Sequence, residues 1–428
     1  MTKRPRRPAA ARALRPAAPP AGHRPALLRT GALAVLATLL LTASTGQSGL
    51  APMPLKPARP PARTAPALHR LVGDGIPGAA ALTTRAGFPA ARFSTAGVAD
   101  LHSGRAMGPR DHFRAGSLTK TLVATVVLQL AAEHRLTLHD SAAAHLPPGT
   151  RVTGPGTRGG LRRVTIRQLL DHTSGLFNYT DDPRLARQLF GTGFRAHRYD
   201  RHTPAELLRT ALRHPPAAAP GARYSYSNTN YLVLGLVIQA VTGHPYATEI
   251  RRRLLVPAGL HHTSFPGTAP ALPRPHGRAY SRIGHRRVDA TALNPSRAGA
   301  AGEMVTTLGD LNRFFSALLG GRFLAPRQMA QIRNARPTGG TYGLGLYATE
   351  LPCGVTVWGH NGEINGSHAR TAATPDGRHV LSYRVNTDTH SAPVPDRAVL
   401  TAEFCAGHGG RPVPSRRTDV LPGRHPVR

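Results

Sequence analysis

Lysine is nearly missing from this sequence. Of 55 basic side chains, only Lys3, Lys56 and Lys120 are lysine. Aromatic residues are also scarce, at 5% of 428 residues, and acidic residues number 21. The formal charge is +34. The arginines are scattered, and no basic block interleaves with stacking side chains, which argues against a nucleic-acid track. The charge reads as arginine spread by composition, alongside abundant Ala, Pro and Gly, and it permits contact with anionic cell-wall polymers.

Long apolar runs are lacking too. Residues 31–43 form an apolar stretch of about 13 residues, too short for a spanning helix and suited to the core of a signal peptide. Lys3, Arg4, Arg6 and Arg7 precede it. Arg6-Arg7 lies too far upstream for a twin-arginine signal, and no cysteine follows closely enough for a lipoprotein. The expected organisation is a signal peptide at 1-45, a Pro/Ala/Arg linker at 46-65, a globular domain at 66-406 and a basic tail at 407-428. The chain is therefore expected outside the cell, with an uncleaved N-terminal anchor as the alternative.

Lys3 and Lys56 fall in the leader and linker, so Lys120 is the lysine of the folded body. It follows Ser117 by three residues, and the apolar positions Val123, Val126, Val127 and Leu130 continue with helical spacing. Ser117 and Lys120 then share one helix face. Arginine cannot act as a base, because it keeps its proton in proteins. A desolvated lysine can, and a serine hydroxyl needs such a base to become a nucleophile. The alternative is a surface lysine that happens to follow a serine.

Strands are expected at 79–84 and 91–98, and again at 355–359, 369–374 and 379–385, with Pro375-Asp376-Gly377 as a turn. Helices are expected at 164–171, 232–241 and 308–319. Thr203-Pro204-Ala205-Glu206 is a capping box opening a further helix to about His214. Strands at both ends with helices between imply one sheet built from both termini and a helical insertion. Cys353 and Cys405 are an even pair, which in an exported protein implies a disulfide. The alternative is two buried thiols.

Two further motifs complete a reactive set. Tyr226 and Asn228 lie in a polar loop before the helix at 232–241. A tyrosine beside a lysine ammonium is expected to have a lowered pKa and to shuttle protons; the alternatives are a packing tyrosine and a helix cap. His360-Asn361-Gly362 ends a strand, where a histidine can donate to substrate and a glycine admits substrate to the backbone.

The order S-x-x-K, Y-x-N, H-x-G resembles the serine beta-lactamase and penicillin-recognising family, in its class C-like branch with secreted D-alanyl-D-alanine carboxypeptidases. The likeness runs from about 66 to 406 and includes Phe113 to Ser117, Val164 to Leu170 with His172-Thr173-Ser174-Gly175-Leu176, Tyr224 to Asn230, and His360 to Gly366. Cys353 and Cys405 fit the same pattern. The resemblance implies an α/β (α+β) fold, an antiparallel sheet flanked by helices plus an all-helical subdomain. It implies acylation of Ser117, proton movement by Lys120 and Tyr226, and substrate contacts from Asn228, His360 and Gly362. The backbone N–H groups of Ser117 and Glu363 would form the oxyanion hole. No metal or organic cofactor is implied. The implied partner of this monomer is a peptidoglycan stem peptide or a beta-lactam, hydrolysed through an acyl-enzyme. The same scaffold also supports a class C-like beta-lactamase, a D-aminopeptidase or an esterase, or a non-catalytic cell-wall binder.

The sequence departs from the carboxypeptidase pattern where those relatives bind a terminal carboxylate. Asn361 and Glu363 stand in place of hydroxyls, and Tyr347 follows Gly343-Leu344-Gly345-Leu346 in place of an arginine. Arg297 is the expected substitute cation.

Overall fold

The computed structural model describes residues 63–154, 160–388 and 396–406. The expected leader, the expected tail and nearly all of the linker therefore lie outside the described residues. Ten strands form. They are β1 Gly78–Arg85, β2 Arg92–Gly97, β3 Phe113–Arg114, β4 Tyr280–Ile283, β5 Arg286–Asp289, β6 Val305–Thr306, β7 Tyr347–Glu350, β8 Thr356–Ile364, β9 Ser367–Ala373 and β10 His379–Val385.

Six of them make one sheet, in the order β2-β1-β10-β9-β8-β7. Its pairings are antiparallel. The expectation of a sheet closed by both ends of the domain holds, since Ala79 of β1 faces Val385 of β10. Strand β10 has the expected limits. Strand β8 does not stop at Gly359, as expected, but runs through the H-x-G residues to Ile364. Its glycines allow the close approach of neighbouring backbone, Gly359 to Thr371 O and Gly362 to Ala115 O. The strand then reverses through Asn365-Gly366, with Gly366 at φ +72°, the dipeptide that a tight hairpin favours.

The sheet is covered on both faces. On one face lie the helices Ala65–Gly73 and Asp396–Phe404, whose Leu68, Leu71, Val399 and Phe404 join Ala79, Leu381, Tyr383 and Val385 in a core. The disulfide Cys353–Cys405 forms, with Cα atoms 5.6 Å apart, and ties the second of these helices to the turn before β8. Neither helix was expected: each is nine residues long, and such short helices owe their stability to packing rather than propensity.

On the other face, the helix Leu308–Leu319 and the helix Thr119–Ala132 bury the larger core. Thr119–Ala132 is apolar on nearly all sides because it runs through the centre of the domain. Its threonines settle their hydroxyls on backbone carbonyls, as Thr121 Oγ1 does on Gly345 O at 2.7 Å. Burial of each large aliphatic side chain there contributes about 1.5–3 kcal/mol. A helical region beyond it contains Ile166–Leu170, Pro204–Leu212 and Asn228–Thr242. The capping box at Thr203 and Glu206 is formed on both sides. The helix read as 232–241 begins four residues earlier, at Asn228, and ends at Gly243, which takes φ +76°.

Candidate active site

Ser117 sits in a single 3₁₀ turn, Gly116–Leu118, that feeds directly into the helix of Lys120. This turn presses on β8. Gly116 has φ +54°, and a Cβ there would lie 2.7 Å from Glu363 N. A Cβ on Gly362 would lie 1.8 Å from Ala115 O and 2.9 Å from Ser117 N. Both glycines are thus required by the approach of two backbones, and the approach brings the N–H groups of Ser117 and Glu363 into one corner.

Lys120 is wholly buried. Its Nζ donates to Ser117 Oγ at 2.9 Å, to Asn228 Oδ1 at 2.8 Å and to Ala301 O at 2.7 Å. Among the described residues no carboxylate pairs with it. Burial without a counter-charge pushes the amine well below its usual range. The rings of Tyr226 and Tyr231 lie 4.9 and 5.6 Å from Nζ.

Tyr226 neighbours Ser117, which favours its phenolate slightly. Its phenol is not lowered, as the sequence suggested, but raised well above its usual value by burial. The reason is desolvation, which disfavours the phenolate just as it disfavours the ammonium of Lys120. His172 stacks on Tyr226 with ring centroids 4.2 Å apart. It holds the unusual φ of +60°, and its Nδ1 accepts from Ser227 N at 3.2 Å and Asn230 Nδ2 at 3.1 Å.

Asn228 is the first residue of its helix, and Ser227 takes the cap position. The side chain of Asn228 orients Lys120 rather than capping. Its Nδ2 reaches Thr180 Oγ1 at 3.5 Å, and its backbone N donates to Asn178 Oδ1 at 3.0 Å.

His360 is fully buried, and both ring nitrogens are engaged. Nε2 meets Tyr342 OH at 3.0 Å and Nδ1 meets Asn361 O. Burial, with Lys120 and Arg370 nearby, holds the ring neutral against a weaker opposing hydrogen bond. His360 therefore orders β8 against Tyr342 and is not a free donor to substrate. Tyr347 packs its ring 4.9 Å from that of His360.

Arg297 is not in the place expected for a substrate cation. Its guanidinium is buried over the rings of Phe190 and Phe194 and donates to Leu189 O. Glu363 turns its carboxylate toward His368, whose Nδ1 lies 3.7 Å away. By strand alternation this is the sheet face opposite Gly362 and Ser117. No sequence pattern pointed to Ala301 O, Asn178, Thr180 or Tyr342, which come from loops and turns elsewhere in the chain. Among the described residues no group of three or more His, Cys, Asp or Glu is placed to hold a metal ion.

This fold and this buried serine–lysine pair define a serine hydrolase of the acyl-transfer type. Residues 62–406 match the Beta-lactamase family, and the chain belongs to it. It is similar to the solved D-stereospecific amidohydrolase from Streptomyces sp., at 41% identity over 81% of this chain and 98% of that one, with a TM-score of 0.74. It is also similar to penicillin-binding protein 4 of Amycolatopsis lactamdurans, at 26% identity over 68% of this chain and 76% of that protein. The putative penicillin-binding protein PbpX of Bacillus subtilis is 27% identical over 56% of this chain. The chain spans about half of that relative, 54% of its length.

Proposed function

We propose that the protein hydrolyses an amide bond on the carbonyl side of a D-configured residue, through an acyl-enzyme on Ser117. The observation that carries the mechanism is the Lys120 amine, buried without a counter-charge 2.9 Å from Ser117 Oγ. In its neutral form Nζ takes the Ser117 proton as Oγ attacks the substrate carbonyl. The N–H groups of Ser117 and Glu363 receive the developing oxyanion. Tyr226, kept as a phenol, relays the proton to the departing amine. Water then attacks the ester, and the same base takes its proton.

The preference for D-amides over a free D-alanyl-D-alanine end rests on two things. One is the likeness to the Streptomyces amidohydrolase. The other is the lack, among the described residues, of a free cation beside Gly362: Tyr347 stands where the arginine was expected, and Arg297 is sequestered. The penicillin-binding relatives favour a second reading, D-alanyl-D-alanine carboxypeptidase action on peptidoglycan stem peptides. Export by the segment at 1-45 and action as a monomer belong to the same proposal.

The test is hydrolysis of D-phenylalanine amide, its L-isomer and a diacylated lysyl-D-alanyl-D-alanine peptide by the purified protein and by Ser117→Ala. Release of ammonia from the D-amide alone, lost in the variant, is the expected result. Cleavage of the tripeptide alone, with a lasting penicillin adduct on Ser117 by intact mass, would select the carboxypeptidase. Equal cleavage of the L-amide would overturn D-selectivity.

A further inference from the structure

A groove of about 900 Å³ opens beside β7, and none of the site residues described above lines it. It is lined by Arg167, Arg327, Arg333, Arg336, His139 and Trp358, and no carboxylate contributes to its lining. The arginines come from three separate elements. Arg167 lies on Ile166–Leu170, Arg327 on Pro326–Ile332, and Arg336 opens the turn Arg336–Thr338.

The guanidiniums of Arg167, Arg327 and Arg336 make no hydrogen bond or ion pair among the described residues. Arg327 and Arg336 are exposed. Buried Asp171 acts electrostatically with Arg167, and Asp376 with Arg333. Arg333 is committed to the protein, donating to Leu319 O at 3.1 Å and to Pro375 O. The floor is Trp358, the chain's single tryptophan. It lies on β8 opposite Ala348, packed on one side against the core and partly open on the other.

Three uncommitted guanidiniums around one flat indole match a particular ligand chemistry. The planar forks suit carboxylate or phosphate oxygens in pairs. One aromatic face accommodates one ring. A nucleic-acid track needs successive stacking platforms, and the groove has one. We propose that this groove binds an anionic polysaccharide, with a sugar ring against Trp358 and its acidic substituents on Arg167, Arg327 and Arg336. The site is separate from the hydrolytic centre, and it gives a located role to charge that otherwise looks dispersed.

The tryptophan is its own reporter. Full-length protein is titrated with polygalacturonate while Trp358 emission is followed, in parallel with poly-uridylate RNA and inorganic polyphosphate. The triple variant Arg167→Ser, Arg327→Ser, Arg336→Ser is compared with an off-groove triple, Arg110→Ser, Arg201→Ser, Arg251→Ser, which removes the same charge. Circular dichroism and D-amide turnover check that both remain folded. The proposal expects a saturable change in Trp358 emission with polygalacturonate, weakened about tenfold or more in the groove variant and much less in the control. Equal weakening in both triples would assign binding to net charge and overturn it, as would binding that leaves Trp358 emission unchanged. RNA or polyphosphate binding more tightly than the glycan through the same arginines would overturn the choice of ligand.

Discussion

Asn228 Oδ1 accepts a hydrogen bond from Lys120 Nζ at 2.8 Å, joining the second motif of the site to the first. The contact orients the amine without giving it a counter-charge, so burial governs its protonation. Activity should then rise with pH along a limb set by Lys120, well below the 10.5 of a free lysine. Asn228→Asp keeps the shape and adds a negative charge. It should move that limb upward by about one to three pH units. Lys120→Arg should remove acylation altogether, with a loss on the order of 10³-fold or more in kcat/KM. A pH profile of the Asp variant coinciding with wild type would contradict the assignment of the limb to Lys120.

Gly362→Ala tests the oxyanion corner. The added methyl would lie 1.8 Å from Ala115 O, a distance no relaxation of a side chain relieves because both partners are backbone. The strand and the Ser117 turn must separate, carrying the Glu363 N–H away from its target. We expect kcat to fall by about 10²–10³-fold, with KM changing far less. Wild-type turnover in this variant would show that the two N–H groups do not act together.

His368 sits between Asp396 and Glu363, with Nε2 at 2.9 Å from Asp396 Oδ1. Burial opposes its charge, but the two carboxylates outweigh burial and raise its pKa from 6.5 to about 10. The charged pair is thus fully stabilising below pH 6.5 and is lost as pH rises toward 10. Thermal midpoints should decline across that window. His368→Gln should flatten the decline and cost about 3 kcal/mol at pH 6, because buried Asp396 loses its charged partner. Chemical denaturation at pH 6 and pH 9.5 measures both effects, and parallel pH curves for the two proteins would count against the pair.

The Cys353–Cys405 bridge spans 52 residues, which in the chain-entropy account contributes about 4 kcal/mol. Cys353→Ser with Cys405→Ser should lower the urea midpoint and steepen the slope, because the unfolded chain is no longer cross-linked, and reductant should do the same to the wild type. The catalytic pH profile should stay where it is, since the bridge lies on the opposite face of the sheet from Ser117. An unchanged urea midpoint would show that the C-terminal helix is held by its apolar contacts alone.

The parts of the fold that were readable from the sequence are those with strong local signals. The strand at 379–385 carries Val380, Leu381, Tyr383 and Val385 with a Pro-Asp-Gly turn before it, and the helix at 204–212 announces itself through its capping box. The Ser117–Lys120 pair was legible because arginine replaces lysine almost everywhere else. What was not legible depends on distant partners. The extent of β8 through three glycine-adjacent residues follows from Gly116 packing on it, and periodicity does not report that. Tyr226 was expected to be acidic because an ammonium was assumed beside it. Its burial among Tyr231, His172 and Tyr342 reverses the sign, and no local pattern contains that burial. Arg297 looked available in sequence, whereas Phe190 and Phe194, far away in the chain, enclose it.

The sheet pairs the first strand of the domain with the last, and this has a consequence for how the enzyme is made. Ser367 Oγ donates to Arg114 O at 2.8 Å across 253 residues. On the ribosome, the nucleophile and its base emerge early, while the strand that completes the oxyanion corner emerges near the end. A nascent chain carries Ser117 and Lys120 without Gly362 and Glu363, and β1 has no partner at β10. Such long-range closure folds slowly and leaves strand edges open for longer. On the proposed mechanism, hydrolytic competence should appear only once β8 is in place, and a product ending before residue 360 is expected to be inert.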